Sequence, residues 1–111
     1  MFPIKQRVPR EIIEKVISEG EKSYSELFLL KKLKNDLEYD RFAVLVSKKV
    51  DKSAVGRHLI KRRYLNIVRD ILKGGDGDIK HDFVIIVSSK NKDFKYESIK
   101  KEIDSKKDFL L

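Results

Sequence analysis

The chain has 111 residues, of which 40% are charged and 41% apolar, and its formal net charge is +8. This length fits one domain, and the apolar share is sufficient for one core, so a wholly disordered chain is excluded. Cys is absent, which excludes disulfides, thiolate metal sites and a Cys nucleophile. Because no long apolar run occurs, we expect neither a membrane span nor a secretory segment, and we expect a cytoplasmic protein.

The first half of the chain predicts a helix and two strands. The helix begins near Pro9, which suits a first turn, and ends at Gly20, so residues 1–8 are expected to form a flexible N-terminal arm. A strand is predicted over 24–33. A second strand over 41–46 is apolar on both faces, which favours a central position in the sheet. Whether this strand bends and pairs twice is left open.

The second half predicts a helix, a strand and a helix. Ser53 offers an N-cap for a helix that runs to about Leu72, and residues 82–89 are typical of a strand buried on both faces. The last helix begins near Tyr96. The order α-β-β(-β)-α-β-α predicts an α+β fold, a two-layer α/β sandwich in which helices pack on one sheet and residues 1–111 form a single domain.

The whole excess of positive charge lies in one segment. Residues 1–40 hold 8 basic and 8 acidic side chains, residues 74–111 also hold 8 of each, and residues 41–73 hold 10 basic and 2 acidic ones. Such a density of positive charge attracts a polyanion. Nucleic acid is favoured over a membrane surface, because the segment has no Trp and no broad apolar face beside its basic face. A solvated helix face is the alternative.

The helix predicted after Ser53 combines an apolar stripe with a basic stripe. Helical spacing assigns a core stripe to Ile60, Tyr64, Ile67, Val68 and Ile71, and a phosphate-facing stripe to His58, Lys61, Arg62 and Arg69. The preceding strand end and loop add Ser47, Lys48, Lys49 and Lys52. The N–H groups at the start of the helix would also favour a phosphate.

The chain lacks the residue pattern of a protein nuclease. Such an enzyme needs clustered carboxylates for Mg²⁺ or a His acid/base pair. The basic segment holds only Asp51 and Asp70, and Asp76 and Asp78 in a Gly-rich turn are a weak metal signal. We therefore expect no catalytic residue and no metal ligand in this chain. The chain would bind a partner, and the partner would carry out the reaction.

Two neighbouring segments resemble a known signature. RFAVLVSKKV over 41–50 and KSAVGRHLIKR over 52–62 are similar to the bacterial ribonuclease P protein subunit, whose signature reads R-x-G-x-x-V-S-K-K-V-G-x-A-V-x-R-N-R-x-K-R. The resemblance covers about residues 9–105. It implies a small α/β sandwich with a left-handed βαβ crossover, a catalytic RNA of ribonuclease P as one partner, and precursor tRNA as the other. That RNA would use Mg²⁺ to remove the 5′ leader, and neither DNA nor a membrane is expected as a partner.

The resemblance also implies roles for individual residues. By position, the residues that would contact RNA in the basic loop and helix are Ser47, Lys48, Lys49, Lys52, Arg57, Lys61 and Arg62. The helix pattern adds Ser53, His58 and Arg69 to this set. The leader would lie in a cleft between the sheet and the first helix. The candidates for that cleft are Ile13, Ile17, Phe28 and Phe42, although a core role is favoured for each.

Several positions depart from the family pattern. Arg-Asn-Arg is Arg57-His58-Leu59 here, and Leu65 stands where a further Arg often follows. Because Leu59 supplies no cation, RNA contact is expected to be weaker at this point. Ile13 and Ile17 occupy positions that are often aromatic, so we expect weak base preference in the leader cleft. A ribosomal-type or RNA-chaperone protein of the same fold is the alternative function, and a stand-alone endoribonuclease is less favoured.

Overall fold

A computed structural model describes residues 7–72, 79–90 and 92–110, which form four helices and one four-stranded sheet. The elements are α1 (Arg10–Glu19), β1 (Glu21–Tyr24), β2 (Phe28–Lys34), β3 (Arg41–Leu45), α2 (Ala54–Leu72), β4 (His81–Val87), α3 (Tyr96–Ser105) and α4 (Lys107–Leu110). The strand order is β1-β2-β4-β3, and β3 and β4 are parallel while the other pairs are antiparallel. The predicted α+β fold is confirmed, and β3-α2-β4 is the crossover unit that the resemblance implies to be left-handed.

The two faces of the sheet are covered by different helices. One face packs against α2, α3 and α4, and this core includes Phe28, Leu30, Phe42, Val44, Phe83, Ile85, Val87, Tyr64, Ile67, Ile99, Ile103 and Leu110. On the other face, α1 contacts β2 and β4. Val16 of α1 is fully buried there, and the Lys31 ammonium donates to the Ile17 carbonyl. The sheet is therefore a rigid platform with helices on both sides.

Residues 21–34 form a hairpin, whereas the sequence predicted one strand over 24–33. The Ser25 N–H donates to the Phe28 carbonyl at 2.9 Å, and the Ser25 hydroxyl accepts the Leu27 N–H at 3.1 Å. This turn reverses the chain, so that β1 pairs with β2. The strand β1 has little apolar character and is mostly exposed, which is why its sequence did not predict a strand. The additional strand is therefore β1, and it does not arise from bending of the 41–46 strand, which was the option left open by the sequence.

The central position predicted for the second strand is wrong, because among the described strands β3 is the last in the order and β4 lies between β2 and β3. Phe42 and Val44 are buried as predicted, and Ala43 on the opposite face is half-buried. Arg7 forms a parallel bridge with Phe42, and the Val8 N–H donates to the Phe42 carbonyl at 3.3 Å. These two residues of the predicted arm therefore cover part of the edge, while residues 1–6 lie outside the described part of the chain.

Two helix ends agree with the sequence prediction and have clear physical causes. A Cβ atom at Gly20 would lie 2.5 Å from the Val16 carbonyl oxygen and 2.7 Å from that of Lys32, so only glycine lets the end of α1 approach β2 this closely. At the start of α2, the Ser53 hydroxyl accepts the Gly56 N–H at 3.2 Å. Ser53 is therefore the N-cap that the sequence predicted.

Candidate nucleic-acid interface

The turn after β3 presents three exposed polar side chains, those of Ser47, Lys48 and Lys49. The Ser47 carbonyl accepts the Val50 N–H at 3.0 Å, which closes the turn. The Val50 side chain is buried in the core beneath it. Because an apolar anchor holds the turn, its cations are directed away from the core and are free to meet a polyanion.

The segment between this turn and α2 is held by hydrogen bonds within the protein. The Asp51 carboxylate accepts the Ser53 N–H at 2.8 Å, and Arg57 Nη1 donates to the carbonyls of Asp51 (3.0 Å) and Lys52 (2.9 Å). A Cβ atom at Gly56 would lie 2.0 Å from Asp51 Oδ2, so the carboxylate fills the space that glycine leaves. Asp51 thus has a structural role where the family has Gly, and Arg57 orders the loop through Nη1.

The two stripes predicted for α2 lie where the helical spacing placed them. Ile60, Tyr64, Ile67 and Val68 are buried, and Ile71 packs against them. The basic stripe faces outward, with His58, Arg62 and Arg69 exposed and Lys61 half-buried. The arrangement lets one helix contribute to the core and present cations at the same time. Binding of RNA by this stripe stays a prediction.

One row of side chains runs across all four strands on the face that α1 partly covers. Tyr24 pairs with Leu29, Leu29 with Ile86, and Ile86 with Leu45, so the four side chains point to the same face. The next row contains Val84, which is fully buried. The row that contains Tyr24 is more accessible to solvent: Leu29, Ile86 and Leu45 are half-buried, and Tyr24 is 63% exposed. This row lies in a groove of about 660 Å³ whose rim includes Ser47, Lys61 and Lys90.

A second groove, of about 340 Å³, lies along the β3 edge between α1 and α2. Its walls include apolar side chains, among them those of Ile13, Ala43 and Leu45. Its basic lining residues are Arg7, His58, Lys61 and Arg62. Because Leu45 and Lys61 line both grooves, the two adjoin at the edge of β3. The structure thus brings part of the predicted RNA surface to the mouth of an apolar-walled cleft.

The four predicted cleft residues divide into two pairs. Ile13 and Ile17 are half-buried on α1, and Ile13 lines the second groove. Phe28 and Phe42 are only 1% and 6% exposed. The Phe28 ring meets the Tyr64 ring edge-on with centroids 5.8 Å apart, and Phe42 stacks on Phe83 at 4.9 Å. Both rings pack in the core on the other face of the sheet, yet Phe28 also lines the first groove and Phe42 the second, so their role in leader binding stays a prediction.

Several cations of this surface come from segments whose net charge is zero. Lys92 donates to the carbonyls of Lys49 and Val50, both at 3.4 Å, and so places a further ammonium beside the basic turn. Arg7 and Lys90 line the second and first grooves, respectively. Counting charge along the sequence could not find them, because the tertiary structure brings them there. Tyr24 was missed for the same reason, since its place in the row depends on strand register.

The described residues supply neither a membrane helix nor a metal cluster. In the described ranges, no helix combines the length and the apolar character needed to cross a bilayer. Within the same ranges, no three His, Cys, Asp or Glu side chains are grouped so as to hold a metal ion. Asp76 and Asp78, the weak metal signal of the sequence, lie outside the described residues.

Comparison with known proteins agrees with the resemblance seen in the sequence. The family model for Ribonuclease P matches residues 5–107. The chain belongs to the ribonuclease P protein family. Membership makes it the protein subunit of a tRNA-processing ribonuclease, and it implies an RNA partner within a ribonucleoprotein. No match was found among curated protein sequences.

Solved structures of ribonuclease P proteins share the fold. A Staphylococcus aureus RNase P protein mutant with defective mRNA degradation activity has a TM-score of 0.77 at 20% identity, over 91% of this chain and 84% of that one. The Thermotoga maritima RNase P protein has a TM-score of 0.68 at 22% identity, over 94% of both chains. The same protein in complex with 1-(4-fluorophenyl)-2-thiourea has a TM-score of 0.69 at 23% identity, over 91% and 92%.

Proposed function

We propose that this chain binds the catalytic RNA of ribonuclease P through the turn at 47–49, Lys52 and the basic stripe of α2. It holds the 5′ leader of precursor tRNA in the two adjoining grooves, in the cytoplasm. The observation that carries this proposal is the junction of a preorganised basic turn with an apolar-walled cleft at the edge of β3. Exposed Lys and Arg neutralise phosphates, and this supplies most of the affinity for RNA.

The RNA partner would carry the chemistry and hold Mg²⁺. Where the structure describes them, the carboxylates and imidazoles do not assemble into a metal-binding group of three. Asp51 is engaged with the Ser53 N–H, and Asp82 is engaged with Arg41 and Asn35. What the chain offers at the grooves is therefore positive charge, hydroxyl groups and apolar surface. Hydrolysis would then take place on the RNA partner without a protein side chain in the reaction.

The cross-strand row explains how a leader would be held. The exposed Tyr24 ring offers a face for stacking on a base, and Leu29, Ile86 and Leu45 offer apolar contact along the groove floor. Lys61 reaches the rim of both grooves and would bind a leader phosphate. Because an aromatic ring can stack on any base, binding in this groove would discriminate little between leader sequences.

Reconstitution tests the proposed function. Adding the protein to a bacterial ribonuclease P RNA at low Mg²⁺ should stimulate cleavage of precursor tRNA at the 5′ leader. The variant Lys48→Ala/Lys49→Ala should need a higher protein concentration for the same stimulation. Lys100→Ala/Lys101→Ala removes the same charge from exposed positions of α3 and is the matched control. Absence of stimulation by the unaltered protein would reject the proposal, and cleavage by protein pretreated with RNase would favour a protein nuclease.

Removing the ring of Tyr24 tests the leader groove. Tyr24→Leu should weaken binding of precursor tRNA to the reconstituted complex about 5- to 10-fold, in line with the loss of one base-aromatic stack. Binding of mature tRNA, which has no leader, should not change. Tyr24→Phe retains the ring and should behave as the unaltered protein. An equal loss for both tRNAs would place Tyr24 outside the leader path.

A further inference from the structure

A third groove, of about 210 Å³, lies between α2 and the start of α3, and it shares Arg62 and Asn66 with the second groove. It is lined by Leu59, Arg62, Arg63, Asn66 and Tyr96. The Tyr96 ring is 41% exposed and Leu59 is 52% exposed. Of these five residues, only Arg62 belongs to the predicted RNA-binding set. The groove thus combines an open aromatic ring, two guanidinium groups and one amide.

The start of α3 and the guanidinium of Arg63 are held in place by contacts within the protein. Arg63 donates to the carbonyl of Phe94, two residues before Tyr96. Phe94 packs against the core, and Ile99 of α3 is fully buried. These anchors fix the backbone at the start of α3 against α2, and they place Tyr96 and Arg63 in the lining of one groove.

This combination matches one unpaired nucleotide. An exposed aromatic ring stacks on a base, guanidinium groups bind phosphate, and an amide reads or supports a base edge. Leu59 adds an apolar wall for the base or sugar where the family pattern has Arg. A protein partner is disfavoured, since two arginines flank the small apolar area and the protein already carries a net charge of +8.

We propose that the groove formed by Leu59, Arg62, Arg63, Asn66 and Tyr96 binds an unpaired nucleotide of the RNA partner, with Tyr96 stacking on the base. This rests on the proposed function and extends the RNA surface across α2 onto α3. It would also provide RNA contact near Leu59 without a cation at that position. Stacking and apolar contact in this groove would then replace the phosphate contact of the Arg that the family pattern has at position 59.

Fluorescence anisotropy with a labelled six-nucleotide single-stranded RNA and with a ribonuclease P RNA tests this proposal. Tyr96→Leu should weaken binding of both RNAs about 10-fold, the effect expected for one lost stack. Tyr96→Phe should bind within about 2-fold of the unaltered protein, because it retains the ring. The slope of log affinity against log salt should be the same for all three, since none of the changes removes a charge. Thermal unfolding verifies that each variant is folded.

Other outcomes separate this proposal from the proposed function. If Tyr96→Leu binds as tightly as the unaltered protein while Lys48→Ala/Lys49→Ala binds weakly, the nucleotide groove is rejected and the proposed function stands. If the unaltered protein binds neither RNA at low salt, both are rejected. An equal loss of affinity for blunt double-stranded RNA would contradict stacking on an unpaired base. Dimers in sedimentation that dissociate in Tyr96→Leu would show that a second copy covers the groove instead.

Discussion

Asp82→Ala is expected to destabilise the fold by about 3–5 kcal/mol, because it would leave the guanidinium of Arg41 half-buried without its counter-charge. Asp82 is 3% exposed, and its carboxylate accepts Arg41 Nε and Nη2, each at 2.7 Å. It also accepts Asn35 Nδ2 at 2.9 Å. The hydrogen bonds from Arg41 to Asp82, together with the negative charge of Asp82, raise the pKa of Arg41. The pair joins β3 to β4 and ties the β2–β3 loop to the sheet.

Urea unfolding of matched variants measures this effect. Asp36→Ala removes a carboxylate from an exposed position of the same loop and should change the free energy of unfolding by less than about 0.5 kcal/mol. The double variant Arg41→Met/Asp82→Leu removes both charges and should recover much of the stability lost in Asp82→Ala. A loss below about 1 kcal/mol in Asp82→Ala would show that the pair contributes little to the fold.

Affinity for RNA is expected to fall about 250- to 1000-fold between 50 and 200 mM salt, because roughly six neutralised phosphates give a slope of about −4 to −5 in log affinity against log salt. The predicted contacts are Lys48, Lys49, Lys52, Arg57, Lys61 and Arg62. Anisotropy titrations of a labelled ribonuclease P RNA at four salt concentrations measure the slope. A slope near zero would contradict contact with phosphates.

Lys61→Ala/Arg62→Ala should weaken RNA binding and make that slope shallower by about 1 to 2, one unit or slightly less for each lost phosphate contact. The fold should be retained, since the core stripe of α2 is unchanged and Arg62 is exposed. Lys100→Ala/Lys101→Ala is again the charge-matched control and should leave the slope nearly unaltered. Equal slopes for both double variants would mean that the α2 stripe is only a solvated surface.

Much of the interface could be predicted from sequence because its parts are contiguous. The stripes of α2 follow from the 3.6-residue helical period, the N-cap at Ser53 follows from its hydroxyl, and the basic segment follows from a count of charges. The family signature lies within 41–62 for the same reason. These properties depend on neighbours within one or two helical turns, so local chemistry is sufficient to define them.

Only the tertiary structure decided which residues line the grooves. A strand segment shows from its pattern that one face is buried, but it does not show which strand lies beside it or in what register. Phe28, a predicted cleft candidate, lines the first groove although its ring packs in the core, whereas Tyr24, four residues earlier, was overlooked although it lines the same groove. Tyr96 and Arg63 are likewise distant in sequence and meet only because α3 packs on α2. Charge and helical period are properties of the chain, whereas a groove is a property of long-range packing.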